Sequence, residues 1–171
     1  MVSASATNQH SSVATFDQLS EGIQEGRSIM AIDLTVPLLI VDDCTTMVRI
    51  IRSLLRQIGF GHINDANNGS QALAQMRERK HDLVISDWNI EPMTGFDLLQ
   101  QVRLDPRLSS TPFIMVAAQS NTEDVIAAKT AGASCYIVKP FKAQTLKSKI
   151  ASVFPDVEPA ATPCRPHLIR N

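Results

Sequence analysis

Residues 38–60 read LLIVDDCTTMVRIIRSLLRQIGF. Four apolar residues, Leu38 to Val41, end abruptly in Asp42 and Asp43. After a short polar step, Met47, Ile50, Ile51, Leu54, Leu55 and Ile58 recur at i, i+3, i+4, i+7, i+8 and i+11 before Gly59. A short unbroken apolar run suits a strand covered on both faces, whereas the 3.6-residue period suits a helix whose stripe faces a sheet. Glycine closes such a helix because the left-handed cap conformation costs it little. The stretch is one strand–helix unit, and its two carboxylates stand where the strand stops.

Working outward, the unit repeats. LVIS at 83–86, FIMV at 113–116 and CYIV at 135–138 are further apolar runs, and the more polar HINDA at 62–66 reads as an edge strand. Helix-period segments follow at 70–79, 95–104, 122–131 and 143–154. Asn121 stands in a cap position, and Glu123 and Asp124 suit a positive helix start. Five strands, each followed by a helix, make an α/β (βα)5 chain with a doubly wound parallel sheet. The expected folded domain is 36–154.

Residues 1–35 are rich in Ser, Thr, Ala, Asn and Gln, and their weakly periodic Phe16, Leu19 and Ile23 are interrupted by Gly22 and Gly26. They are expected to be a disordered arm. Residues 155–171 carry Pro155, Pro159, Pro163 and Pro166, which forbid a regular helix, so a disordered tail is expected there. Sixteen basic residues against seventeen acidic ones leave a net charge of −1. A polyanion gains little from such a partner, which argues against nucleic-acid and anionic-membrane binding. No apolar run is long enough for a membrane span and the start does not resemble a secretory signal, so a cytoplasmic protein is expected. Cys44, Cys135 and Cys164 are widely spaced, suit no zinc pattern and read as free thiols.

Parallel α/β sheets present their chemistry at the carboxyl ends of the strands. There the chain offers Asp42 and Asp43, then Asp87, Ala117 and Lys139. Any one Asp after a strand reads equally as a turn former or cap. If strands one and three are neighbours, however, three carboxylates and one ammonium share a crevice. Their net charge of about −2 matches a divalent cation, and oxygen-only ligands suit Mg²⁺. Asp87 would then be a carboxylate beside a metal and an ammonium, arranged to attack phosphorus and form an aspartyl phosphate.

LLIVDDCTTMVRIIRSLLRQIGF, LVISDWNIEPMTGFDLL (83–99), PFIMV (112–116) and AGASCYIVKPF (131–141) resemble the receiver domains of two-component response regulators. The likeness is greatest to stand-alone chemotaxis regulators, and WNIEPMTG resembles their alphaproteobacterial type. The resemblance spans about 37–154 and implies a flavodoxin-like fold with strand order 2-1-3-4-5. It also implies Asp87 as phosphoacceptor, Mg²⁺ held directly by Asp43, Asp87 and the Asn89 backbone carbonyl, Asp42 acting partly through water, Lys139 on the phosphoryl group, and a cis Lys139–Pro140 bond. The implied phosphodonor is a histidine kinase. The implied target is the flagellar switch or another protein, met through the fourth helix, fifth strand and fifth helix, where Lys129, Lys142, Lys147 and Lys149 fall.

The chain departs from the pattern at Ala117, where these receivers carry a Thr or Ser whose hydroxyl bonds the phosphoryl group. Ala118 retains a backbone N–H, and Ser120 is a nearby hydroxyl. Asn89 and Gln119 occupy the positions that tune dephosphorylation, and neutral amides there can orient water. Tyr136 matches the aromatic that moves inward on activation, although a half-buried strand Tyr would look the same. Cys44 reads as a small loop residue.

The expected function is a stand-alone response regulator that takes a phosphoryl group on Asp87 and relays it by protein contact in chemotaxis. It would be no enzyme beyond catalysing its own phosphorylation and dephosphorylation. The alternatives are a receiver scaffold uncoupled from phosphorylation, which Ala117 favours, and a phosphate sink. A haloacid-dehalogenase-type enzyme would need an acid where Asn89 stands, and a dinucleotide binder would need a glycine-rich turn where DDCTT stands.

Overall fold

The structure, a computed structural model, describes residues 32–119 and 121–154. Five strands, β1 (Leu38–Val41), β2 (Ile63–Ala66), β3 (Leu83–Asp87), β4 (Phe113–Ala117) and β5 (Cys135–Val138), form one parallel sheet in the order β2-β1-β3-β4-β5. Helices α1 (Thr45–Ile58), α2 (Gly69–Glu78), α3 (Gly95–Leu104), α4 (Thr122–Thr130) and α5 (Ala143–Val153) connect and follow them. Each strand boundary, and each boundary of the four later helices, lies within one residue of the sequence expectation, and the polar β2 is an edge strand. Residues 1–31 of the expected arm, the tail 155–171, and with them Cys164, lie outside the described residues, as does Ser120.

Alternation along the strands divides the core. Leu38, Ile40, Leu83, Ile85, Ile114 and Val116 pack with α1 and α5, whereas Leu39, Val41, Val84, Phe113 and Met115 pack with α2, α3 and Ala128 of α4. Ile32 and Val36 join the α1/α5 side. No helix among the described residues is long and apolar enough to cross a membrane.

One expectation about α1 needs correction. The stripe from Met47 to Ile58 does not all face the sheet, because Ile50 is 46% exposed while Val48, Ile51 and Leu55 are buried. Met47, Leu54 and Ile58 pack at the margin. The inward face is centred on Val48, Ile51 and Leu55, so the helix is turned from the orientation that counting apolar residues suggests. Gly59 ends it at φ 117°, and its N–H bonds the Leu55 and Arg56 carbonyls. Asn68, Thr94 and Asn121 cap α2, α3 and α4 through their side chains.

Candidate functional site

Strand order decides which carboxyl ends meet. With β1 between β2 and β3, Val41 is in register with Ser86, and Asp42 and Asp87 follow on neighbouring strands. Asp42 is 1% exposed: its Oδ1 accepts the Cys44 N–H at 2.8 Å, and its Oδ2 accepts from Lys139 Nζ at 3.2 Å. Lys139, just past β5, places the same Nζ 3.0 Å from Asp87 Oδ1. Its backbone N–H is tied to the Ala117 carbonyl at 2.8 Å, so β4 sets where the ammonium stands. The Lys139–Pro140 bond is cis, and so is Glu91–Pro92 in the loop after β3.

Burial raises the Asp87 pKa above its ordinary value, with the Asp42 charge adding to this and Lys139 opposing it. For Lys139, burial favours loss of the proton, but hydrogen bonds and charge from Asp87 and Asp42 outweigh it and hold the pKa above its ordinary value. The pair is an ammonium kept charged beside a carboxylate that it compensates only in part. Asp43 and Asn89 are exposed beside this centre. Among the described residues no three His, Cys, Asp or Glu side chains cluster tightly enough to hold a metal by themselves. The expected gathering of three carboxylates is two on one ammonium, with Asp43 next to them in sequence.

Two residues that sequence reasoning passed over shape the floor. Ser86 is fully buried and donates from Oγ to the Asp87 carbonyl at 3.0 Å. Gly95 opens α3 with its N–H on the Trp88 carbonyl at 3.0 Å, and a Cβ there would fall 1.9 Å from the Asp87 carbonyl oxygen. Only glycine permits that approach, and the T-x-x-D pattern of Thr94 and Asp97, here a reciprocal capping box, is the sequence signal that a helix starts there.

Ala117 ends β4 and is buried; Ala118 and Gln119 beyond it are exposed. Tyr136 is 5% exposed and donates its hydroxyl to the Gln119 carbonyl at 3.0 Å. Its ring meets Trp88 edge-on at 6.4 Å, and Trp88 in turn stacks on Phe96 at 5.0 Å. Burial, then the charges of Asp124 and Asp87, raise the Tyr136 pKa, so its hydroxyl stays a donor. Lys129 lies on α4, Lys142 caps α5, and Lys147 and Lys149 lie within α5. Cys44 is exposed at the start of α1, and Cys135 is buried with its Sγ 3.9 Å from Ser152 Oγ.

The family model described as "response regulator receiver domain" matches residues 38–151. Chemotaxis protein CheY of Pseudomonas aeruginosa is 46% identical over 117 residues, 68% of this chain and 94% of that protein. Chemotaxis protein CheY-3 of Vibrio cholerae is 44% identical over 117 residues, 68% of this chain and 90% of that protein. Among solved structures, the chemotaxis response regulator CheY4 of Vibrio cholerae aligns with a TM-score of 0.66 at 30% identity, covering 70% of this chain and 99% of that one. A CheY-like response regulator receiver domain protein from Methanospirillum hungatei aligns with a TM-score of 0.61 at 28% identity, covering 68% and 90%.

Proposed function

Because the chain belongs to the response regulator receiver family, we propose that it accepts a phosphoryl group from a histidine kinase on Asp87 with Mg²⁺ and relays it by protein contact. The observation that carries this reading is one ammonium, Lys139 Nζ, shared by Asp87 at 3.0 Å and Asp42 at 3.2 Å. That geometry places a fixed positive charge beside the oxygen that would bond phosphorus.

In the transfer, an Asp87 carboxylate oxygen bonds to phosphorus as the donor's P–N bond breaks, and the departing imidazole keeps the electron pair. Lys139 leaves its salt link to Asp87 for an oxygen of the arriving phosphoryl, so the charge lost by one partner is used by the next. The donor set fits Mg²⁺: it is all oxygen, and the two acids on Lys139 outnumber their one ammonium. Asp43, Asp87 and the Asn89 carbonyl would hold the ion, with Asp42 contributing through water since both its oxygens already accept hydrogen bonds. When bound, it would neutralise charge developing on the phosphoryl oxygens. Asn89 and Gln119 would orient the water that later removes the group.

The relatives named as chemotaxis proteins support a chemotactic output, for which we propose the cytoplasm as compartment and the flagellar switch as partner. The face of α4, β5 and α5, which carries exposed Ile126 and Val138 beside Lys142 and Lys147, is where that partner would dock.

A second reading, a receiver whose output does not depend on phosphate, is favoured by Tyr136. Its hydroxyl is already seated on the Gln119 carbonyl beside an Ala117 that has no hydroxyl to offer.

The test is incubation of the full chain with acetyl phosphate and Mg²⁺, reading phosphate by mass. One phosphoryl group on Asp87 is expected, absent in Asp87→Asn and on chelation of the metal. Full labelling of Asp87→Asn would overturn the assignment.

A further inference from the structure

At the opposite rim of the sheet, where the strands begin, a cavity of about 390 Å³ lies between the end of α2, the step into β3 and the turn into β4. Its floor is made by Met76, His81 and Leu108, all buried. Around it stand Arg77, Arg79, Lys80 and Arg107, against only Glu78 and Asp82 as lining acids.

The cations are not equally committed. Arg77 and Arg107 share Asp105 at 3.2 and 3.9 Å, and Lys80 pairs with Asp82 at 2.6 Å. Ion pairs at such exposed positions hold weakly in water and yield to a multiply charged anion. Arg79 has a longer and neutral contact, Nη1 to Asn64 Oδ1 at 3.5 Å.

His81 is 5% exposed, so its polar atoms should be satisfied. Asn64 turns its Oδ1 to Arg79 and its Nδ2 to His81 Nε2 at 3.3 Å, which makes Nε2 the acceptor and leaves the proton on Nδ1. Nδ1 is itself buried, and the ring interacts with the Arg79 backbone. A buried imidazole thus lies in the floor of a basic recess.

We propose that this cavity binds a small phosphorylated ligand of nucleotide size, distinct from the phosphoryl chemistry at Asp87. Its phosphates would be held by the guanidinium of Arg79 with Arg77 and Lys80, since guanidinium forks match phosphate oxygens. Its flat organic part would rest on Met76 and Leu108 beside the His81 ring. A cavity of this size falls within the range of small-molecule sites. A bare phosphate would leave the apolar floor uncovered.

The open groove along α1, with Arg49, Arg52 and Arg56, is the internal control: it is also basic but has no buried polar floor. The experiment is a two-dimensional ¹⁵N NMR titration of the full chain with ADP, and separately with inorganic pyrophosphate, without Mg²⁺. Saturable ADP shifts confined to amides 76–82 and 107–111 are expected, with pyrophosphate weaker by about tenfold or more. Arg79→Ala should weaken ADP by about tenfold while Asp87 labelling by acetyl phosphate stays at the parent level. Equal shifts along α1, no saturation, pyrophosphate as tight as ADP, or unchanged binding in Arg79→Ala would each overturn the proposal. Asp87 labelling, read independently, tests the proposed function and not the cavity.

Discussion

Ala117 and Tyr136 lie on the same side of the sheet, and under the proposed function they are the residues through which an event at Asp87 would spread. A hydroxyl at 117 would add a bond made only when a charged phosphoryl is present, worth about 1.5–3 kcal/mol, and such a bond shifts a two-state ratio by about ten- to a hundredfold. Without it, Tyr136 has one fewer reason to move, and its own hydroxyl is already engaged by Gln119. The Tyr136 ring resonances are therefore expected to stay nearly fixed when the parent is phosphorylated with acetyl phosphate, and to shift clearly in Ala117→Thr. If the parent's resonances shift as far as those of Ala117→Thr, the missing hydroxyl has no part in coupling.

At the scale of elements, α1 offers a comparison between chemically identical neighbours. Ile51 is buried against the sheet and Ile50 is nearly half exposed. Ile51→Ala should cost about 2–5 kcal/mol through lost burial and the cavity left behind, whereas Ile50→Ala should cost less than about 1 kcal/mol, helped by alanine's helix propensity. Urea denaturation of the two variants measures the difference, and equal losses would show that the inward face has been misplaced. The same helix shows what could be read from the residues. Apolar runs ending in Asp42, Asp87 and Lys139 located the strands and the site, because period and punctuation are local properties. Which side of α1 faces inward is not local, since it follows from how the helix lies across the sheet and against α5. Nor was the need for Gly95, which depends on a carbonyl eight residues earlier in the chain. Burial of His81 was equally hidden, since its Asn64 partner comes from another strand.

For the whole molecule, that histidine couples stability to pH. Burial, then the Arg79 charge, hold the His81 pKa below its usual 6.5. The unfolded chain therefore takes up this proton first as pH falls, and protonation favours unfolding. The contribution is complete above about pH 6.5 and is lost as pH falls toward the lowered folded value. Urea midpoints should decline through this window in the parent and decline less in His81→Gln, which keeps a polar partner for Asn64 but cannot titrate. Parallel declines would remove His81 from the account.

The Lys139 clamp joins points of the chain 97 residues apart, fastening Asp42 just after the first strand to a lysine just after the last. During synthesis the two acids emerge from the ribosome long before the ammonium that completes their site. A nascent chain, or a fragment cut short before β5, would hold the proposed nucleophile without its counter-charge, so reactivity at Asp87 would also report that the sheet had been completed.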